Sequence, residues 1–391
     1  MDLHLTPEAE KFRDDLRAWL TANLDHPYTQ DVLDAKNDED SLVEVRRAFQ
    51  KKLNDAGYLG MAWPAEWGGR GATQIEEAIL KAELAAADAP QSPNALGLGL
   101  CAPALIHHGT EAQRKRFLPP MLSCDEIWCQ GFSEPGAGSD LAGIRCKAEP
   151  EGDDFRITGQ KVWTTLGPWS DWIFLLARTD MEDRHGGITF FLMPIDQPGV
   201  EMRALKQISG ESEFGEVFFD NALAKGEHVV GKLGEGWRIA MTVLGFERGG
   251  STLLPAAEYS RQLDGLIRAL KENGQFERDD VREKVGNLIV ENEVLRANGL
   301  RSLAAVAQGL PPGAESSIDK IFWSEYHQRL TDAAVELLGP QGQLELRSPG
   351  AHTDVHWMHQ FLWSRAGTIY SGSSEIQRNI IAKRVLQMPT K

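Results

Sequence analysis

A change of texture near residue 127 constrains this chain more than any other feature. "FRITGQKVWTT" (155–165), "WIFLLART" (172–179), "GITFFLMPI" (187–195) and "GEVFFDNA" (215–222) are short β-branched and aromatic runs set apart by Gly, Pro and Asp. No helical pattern of about 10–15 residues lies between them, so antiparallel strands in a small barrel or sandwich are expected rather than βαβ units. On both sides the pattern is helical. Thr6-Pro7-Glu8 supplies an N-cap, a helix-opening proline and an acidic first turn, followed by Phe12, Leu16, Trp19 and Leu20 on one face. Arg46, Phe49 and Leu53, then Ile79, Leu80 and Leu84, repeat that spacing, with the glycine-rich "WPAEWGGRG" (63–71) between them. Beyond Gly234, Ile239, Val243 and Phe246 open a helix expected to reach Gly274, and a second is expected over 279–308. "GLPPGAESS" (309–317) reads as a linker, and Ile318, Phe322, Tyr326, Leu330 and Leu337 mark a third helix stopped by "GPQG" (339–342). The expected fold is therefore mainly α with a central antiparallel β domain: residues 1–126 helical, 127–232 strand, 233–391 a helical bundle.

Composition narrows the partners. A net charge of −16 disfavours nucleic acid and anionic membranes, which need basic surface. "MDLHLTPEAE" has neither the basic nor the apolar region of a signal peptide, and no apolar run approaches the ~20 residues of a membrane span. Cys101, Cys124, Cys129 and Cys146 show no C-x-x-C spacing and read as reduced, mostly buried thiols of a cytoplasmic protein.

Taken singly, the candidate motifs are weak. "GAGSD" (136–140) lacks the third glycine, the preceding parallel strand and the following helix of a dinucleotide turn, but it lets a phosphate or ring approach the backbone. His352, His356 and His359 in "HTDVHWMH" would share a face on a helix, yet Trp357 and Met358 favour packing over a metal. No G-x-S-x-G elbow and no clear Cys–His pair support a hydrolase. Trp163 fits a barrel core as well as a ligand wall. Glu247, beside Arg248, fits a solvated ion pair on spacing alone.

Read in order, the motifs say more. "QGFSEPGAGSD" (130–140), "ITGQKVWTT" (157–165) and "IYSGSSEIQRNIIAKRVL" (369–386), within a helical–strand–helical layout, resemble the acyl-CoA dehydrogenase family over nearly the whole chain. The resemblance implies FAD as cofactor and oxidation of an acyl-CoA thioester to the trans-2-enoyl-CoA, with electrons passed to an electron-transferring flavoprotein. By match, Gln130, Phe132 and Ser133 would serve the flavin, the latter two through backbone or hydroxyl contacts at its pyrimidine side. Gly138 and Ser139 would lie by the pyrophosphate and the CoA. Trp163 would pack on the dimethylbenzene region, Thr165 would stand near N5, and Ser373 matches a threonine that contacts the cofactor.

One residue departs from the pattern. Ser371 stands where most of the family carries the catalytic glutamate, and a serine hydroxyl is far too weakly acidic to act as that base. A minority of the family, including isovaleryl-, long-chain-type and bacterial steroid-side-chain enzymes, places the glutamate before an arginine on the first helix of the C-terminal domain. Here that position is Glu247, before Arg248. The implied mechanism is abstraction of the pro-R α-proton by Glu247 with hydride transfer from the β-carbon to flavin N5. The Ser371 backbone N–H would steady the thioester oxygen, and Arg248 would contact CoA.

Two further motifs depart as well. Members commonly lend FAD contacts to a neighbouring subunit through R-x-x-F-G and Q-x-x-G-G-x-G segments. The matches here are "NGQFE" (273–277), without the arginine, and "ELLGPQG" (336–342), with Glu336 for the amide and Pro340 for a glycine. Lys284 is a candidate substitute cation. A homotetramer, an α2β2 heterotetramer with a paralogous chain, a non-catalytic subunit and an oxidase-like member all stay open, and the expected acyl chain is branched or bulky.

Overall fold

The computed structural model describes residues 5–35, 38–249, 253–308, 310, 313–352 and 355–389, with the side chains of 246–249 and 306–307 outside that set. They pack into two compact units. One comprises Met1–Asp38, Ala72–Pro90 and Arg248–Lys391, the other Glu39–Gly71 and Gln91–Glu247. The N-terminal helices are thus shared out. Pro7–Asn23 and Gln74–Ala86 join the C-terminal helices, whereas Glu39–Asp55 and Glu111–Ser123 join the sheet.

The second unit is built on a mixed sheet that is mostly antiparallel. Its strands are β1 (Trp128–Gly131), β2 (Lys147–Glu151), β3 (Asp154–Thr165), β4 (Trp172–Arg178), β5 (Ile188–Pro194), β6 (Val200–Leu205), β7 (Phe214–Ala224) and β8 (Val229–Val230). They run β6-β7-β3-β2-β4-β5-β8, with β1 beside β4. Pairs β2–β3, β3–β7, β4–β5, β5–β8 and β6–β7 are antiparallel. The β1–β4 pair is parallel, which the texture did not predict; the long connection that parallel neighbours require is supplied by residues 132–171.

The unbroken apolar runs of β4 and β5 follow from burial on both faces. Phe174, Leu176, Phe190 and Leu192 pack with Phe117, Leu118, Met121, Ile239 and Val243 of the helices. Ile173, Leu175, Phe191 and Met193 pack on the opposite side with Phe155, Ile157 and Phe219.

In the first unit, Thr6 caps the opening helix by accepting the Ala9 N–H at 3.3 Å, and Leu16 and Leu20 are its buried stripe. Thr73 and Glu76 form a reciprocal capping box on Gln74–Ala86. Tyr259, Leu266, Leu270, Val285, Tyr326 and Leu330 anchor the C-terminal core. The helix expected from Ile239 to Gly274 is two, Gly236–Gly249 and Leu254–Glu272, with Pro255 in the first turn of the second, where a missing N–H is tolerated. Asp279–Ala307 and Ser316–Leu338 match the expected second and third helices. Among the described residues no helix is long and apolar enough to cross a membrane.

Candidate functional site

In the sheet unit, β1 leads into the loop that carries the first motif. Phe132 is buried, its ring edge-on to Phe174 at 5.9 Å and to Phe190 at 6.1 Å, so its side chain fills the core. The Ser133 carbonyl accepts the Val162 N–H at 3.0 Å. Glu134 and Ala137 exchange backbone hydrogen bonds of 3.1 and 3.0 Å, and the loop then projects Gly136, Gly138 and Ser139 into the open. A Cβ added at Gly136 or Gly138 would meet nothing within 4 Å, so the backbone there is approachable.

Strand β3 lies beside this loop. Its register against β7 passes from Lys161↔Val217 to Thr164↔Gly215, so Val162 and Trp163 together face Glu216 in a β-bulge. Trp163 takes a left-handed backbone (φ 61°) and is 61% exposed, its ring edge-on to Phe214 at 6.1 Å. The core-filling alternative for Trp163 is therefore excluded: a large flat ring is held out of the sheet. Thr165 ends β3, half-buried.

Two residues that the motifs did not single out hold this arrangement. Lys161, fully buried, donates from Nζ to Glu134 Oε1 at 2.8 Å and to the Phe132 carbonyl at 3.2 Å. Glu134 also accepts the Cys146 N–H at 2.9 Å and the Arg145 N–H at 2.6 Å. A signal existed, because Lys161 shares the parity of inward-facing Phe155 and Ile157 on β3.

In the helical unit, "GTIYSGSSEIQRNI" forms a turn between helices Trp357–Gly367 and Ser374–Ile380. The Ile369 and Tyr370 N–H groups donate to the Ala366 carbonyl. Ser371 (φ 53°) and Gly372 (φ 86°) are both left-handed, and Gln377 Nε2 holds their carbonyls at 2.9 and 3.4 Å. The Ser373 hydroxyl caps the following helix by accepting the Ile376 N–H at 3.4 Å, and it is also hydrogen-bonded to the Glu375 carboxylate. Lys320, 5% exposed, donates to the Gly367 carbonyl at 2.7 Å, and the Trp323 ring lies 6.0 Å from Tyr370.

Gln130, Phe132, Ser133, Gly138, Ser139, Trp163 and Thr165 thus belong to one unit, and Ser371 and Ser373 to the other. Glu247 and Arg248 occupy the last turn of Gly236–Gly249; their side chains lie outside the described residues. The substitute cation Lys284 is engaged with Glu336 at 2.5 Å, and Pro340 sits in a tight turn, Gly339–Gln343. The histidine set does not share a helical face, because the helix starts at Trp357 with His356 as its N-cap residue. Among the described residues no group of three or more His, Cys, Asp or Glu is disposed to hold a metal. All four cysteines are free and buried, and burial pushes the Cys124 and Cys146 thiols up to about 11 and Cys129 to about 12, so none offers a thiolate.

The sheet-side residues fit a flavin. Trp163 offers a flat apolar wall, and among the described residues Gln130 Nε2 and the Thr164 hydroxyl are buried polar atoms with no protein partner. A ring with a polar edge needs this combination of wall and donors.

Comparison with known proteins accords with this geometry. Models of the acyl-CoA dehydrogenase N-terminal, middle and C-terminal domains match residues 6–125, 129–222 and 234–386. The chain is 41% identical over 384 residues to acyl-CoA dehydrogenase IpdE1 of Mycobacterium tuberculosis, covering 98% of each. It superposes on the Tcur3481-Tcur3483 steroid ACAD with a TM-score of 0.89 at 28% identity, covering 100% of both chains. The corresponding values for the ChsE4-ChsE5 complex from Mycobacterium tuberculosis are 0.86 and 28%, again over 100% of both.

Proposed function

The chain belongs to the acyl-CoA dehydrogenase family of oxidoreductases acting on CH–CH bonds, and from that premise we propose that it desaturates a bulky, branched acyl-CoA with Glu247 as the base. The observation that carries this reading is the pairing of two positions: Ser371, without a carboxylate, in the left-handed turn, and Glu247, next to Arg248, at the end of Gly236–Gly249.

FAD, on which the family generally depends, supplies the hydride acceptor when bound. Gln130, the Phe132 backbone, Ser133, Trp163, Thr165 and Ser373 would hold it, with Gly138 and Ser139 toward the pyrophosphate and the CoA. Glu247 removes the α-proton, a task that requires desolvation to lift its pKa toward that of the polarised C–H. The Ser371 N–H donates to the thioester oxygen as it gains enolate character, whatever the side chain there. Arg248 offers its guanidinium to the CoA.

Steroid-related relatives support a ring-bearing acyl chain, and the complexes named among them support a heteromer. The Lys284–Glu336 pair points the same way, since it neutralises the cation this chain would otherwise lend to a neighbour's pyrophosphate. We therefore favour an α2β2 assembly with a paralogous chain, an electron-transferring flavoprotein as acceptor, a cytoplasmic setting, and domains over 1–126, 127–232 and 233–391.

Glu247→Gln tests the base. It is expected to keep FAD and CoA binding and to lose acyl-CoA-driven flavin reduction by several orders of magnitude. Near-normal reduction by this variant would sink the assignment. Mass and FAD content per chain, with and without the paralogue, test the assembly: a fully loaded, active homotetramer would remove the need for a partner.

A further inference from the structure

Breaking a buried ion pair strands a charge, and even an intact pair is often replaceable by apolar side chains without loss of stability. The sheet unit nevertheless keeps one beside an exposed aromatic ring, Trp163. The Lys161 side chain is 0% exposed and that of Glu134 9%. What the pair touches indicates its task. The Lys161 Nζ bonds reach the Phe132 carbonyl and the Glu134 carboxylate, both on the first-motif loop. That carboxylate also takes the N–H groups of Arg145 and Cys146, so a single side chain closes the loop at both ends.

The other half of the observation is the bulge. Between Lys161 and Thr164 the β3–β7 ladder slips, so Val162 and Trp163 have no regular register partner on β7. The Val162 N–H turns instead to the Ser133 carbonyl, across to the same loop. Trp163, left-handed and 61% exposed, directly follows this anchored residue, with its ring edge-on to Phe214 of β7.

We propose that the Lys161–Glu134 pair is a positioning clamp for the cofactor ring: it keys the Phe132–Ser133–Glu134 backbone to β3 and so sets the Trp163 indole relative to the Ser133 edge. This rests on the flavin reading of the site, though not on the identity of the base. Lys161 and Glu134 are positioning residues and touch no reacting atom.

If the clamp acts through Trp163, the indole should lose much of its worth when the clamp is broken. The test is a double-mutant cycle of Lys161→Met and Trp163→Ala on the full-length chain in the assembly that carries FAD, read as the dissociation constant for FAD and as the flavin absorption band. Apo-protein melting checks that each variant is folded. Lys161→Arg, which keeps the charge but alters the reach, replaces Lys161→Met if the latter fails to fold.

Trp163→Ala is expected to weaken FAD binding about tenfold or more in the native background but only about twofold once Lys161 is replaced. Each single variant should also perturb the flavin band. Additive effects, or an unchanged FAD dissociation constant in the Lys161 variant, would overturn the clamp while leaving the flavin reading intact. A native assembly that takes up no FAD would overturn both. Turnover is not measured, so failure of Glu247 as base gives a different signature.

Discussion

Two loops of this molecule are tied down by a buried lysine, and they are tied differently. In the sheet unit Lys161 meets a full carboxylate, Glu134, which is itself fastened to two further backbone N–H groups. In the helical unit Lys320 meets the carbonyl of Gly367, the last residue of Trp357–Gly367, where the helix dipole places a partial negative charge. The first arrangement fixes a side chain that protrudes from a bulged strand, since the Trp163 ring needs a rigid base. The second fixes a stretch of main chain, because Ser371 and Gly372 follow four and five residues later, both left-handed. On the proposed reading, a ring wall calls for an anchored side chain, whereas an oxyanion donor calls for an anchored backbone.

The comparison predicts unequal costs. Lys161→Met leaves Glu134 buried without its cation and should destabilise the protein by roughly 3–5 kcal/mol. Denaturant unfolding of the FAD-free protein measures this. A loss smaller than that of the matching Lys320 variant would reverse the ranking on which the contrast rests.

The sequence makes one side of this contrast more legible than the other. The switch from helical to strand texture, the serine between Tyr370 and Gly372 and the glycines of both loops are local signals and can be read directly. The Lys161–Glu134 tie is not local, because 27 residues separate the partners. Alternation on β3 turns Lys161 inward but cannot name what it meets. The sorting of Pro7–Asn23 and Gln74–Ala86 with the C-terminal helices is hidden for the same reason: an apolar stripe shows that a helix buries a face, not against what. The histidines would share a face only on a continuous helix, and the helix here begins only at Trp357.

Acid should act on the helical unit through a buried histidine. His327, on the same helix as Lys320, is buried, stacks on Tyr259 at 4.5 Å, and is pushed down to about 4 by burial. A depressed histidine favours the neutral form in the fold, so its contribution is complete above the ordinary value near 6.5. It is lost as pH falls from there toward 4, where the unfolded chain takes up the proton first. The loss attributable to His327 is about 3 kcal/mol. Buried Asp319, raised by burial, acts in the opposite sense and makes wild-type behaviour a sum. The clean measurement is therefore the difference in unfolding free energy between wild type and His327→Gln from pH 7 to pH 4. A difference that does not change over that range would exclude a buried neutral histidine.

Lys320→Met is expected to cost less, about 1–3 kcal/mol, because it leaves a neutral carbonyl unpaired and not a carboxylate. Its informative readout is kinetic. If Lys320 holds the turn that presents the Ser371 N–H, the variant should lower the rate of flavin reduction more than it weakens acyl-CoA binding. Equal effects on both would make Lys320 a stability residue only.

The smallest effect is expected at Ser371 itself, and it tests whether the helical loop acts through its backbone. A left-handed serine carries strain of roughly 1–2 kcal/mol, which glycine would relieve. Glycine also gives up roughly 0.5–1 kcal/mol through the greater freedom of the unfolded chain. The two nearly cancel, so Ser371→Gly should leave the melting temperature close to wild type. Its N–H remains in place on a backbone that still favours φ near 53°, so flavin reduction should stay within a few-fold of wild type. Ser371→Pro, by contrast, removes the N–H and cannot adopt a positive φ. It should abolish reduction while sparing the sheet-unit residues proposed to hold FAD. A glycine variant as inactive as the proline variant would mean that the serine hydroxyl takes part in the chemistry, and the view of this turn as a purely main-chain device would fail.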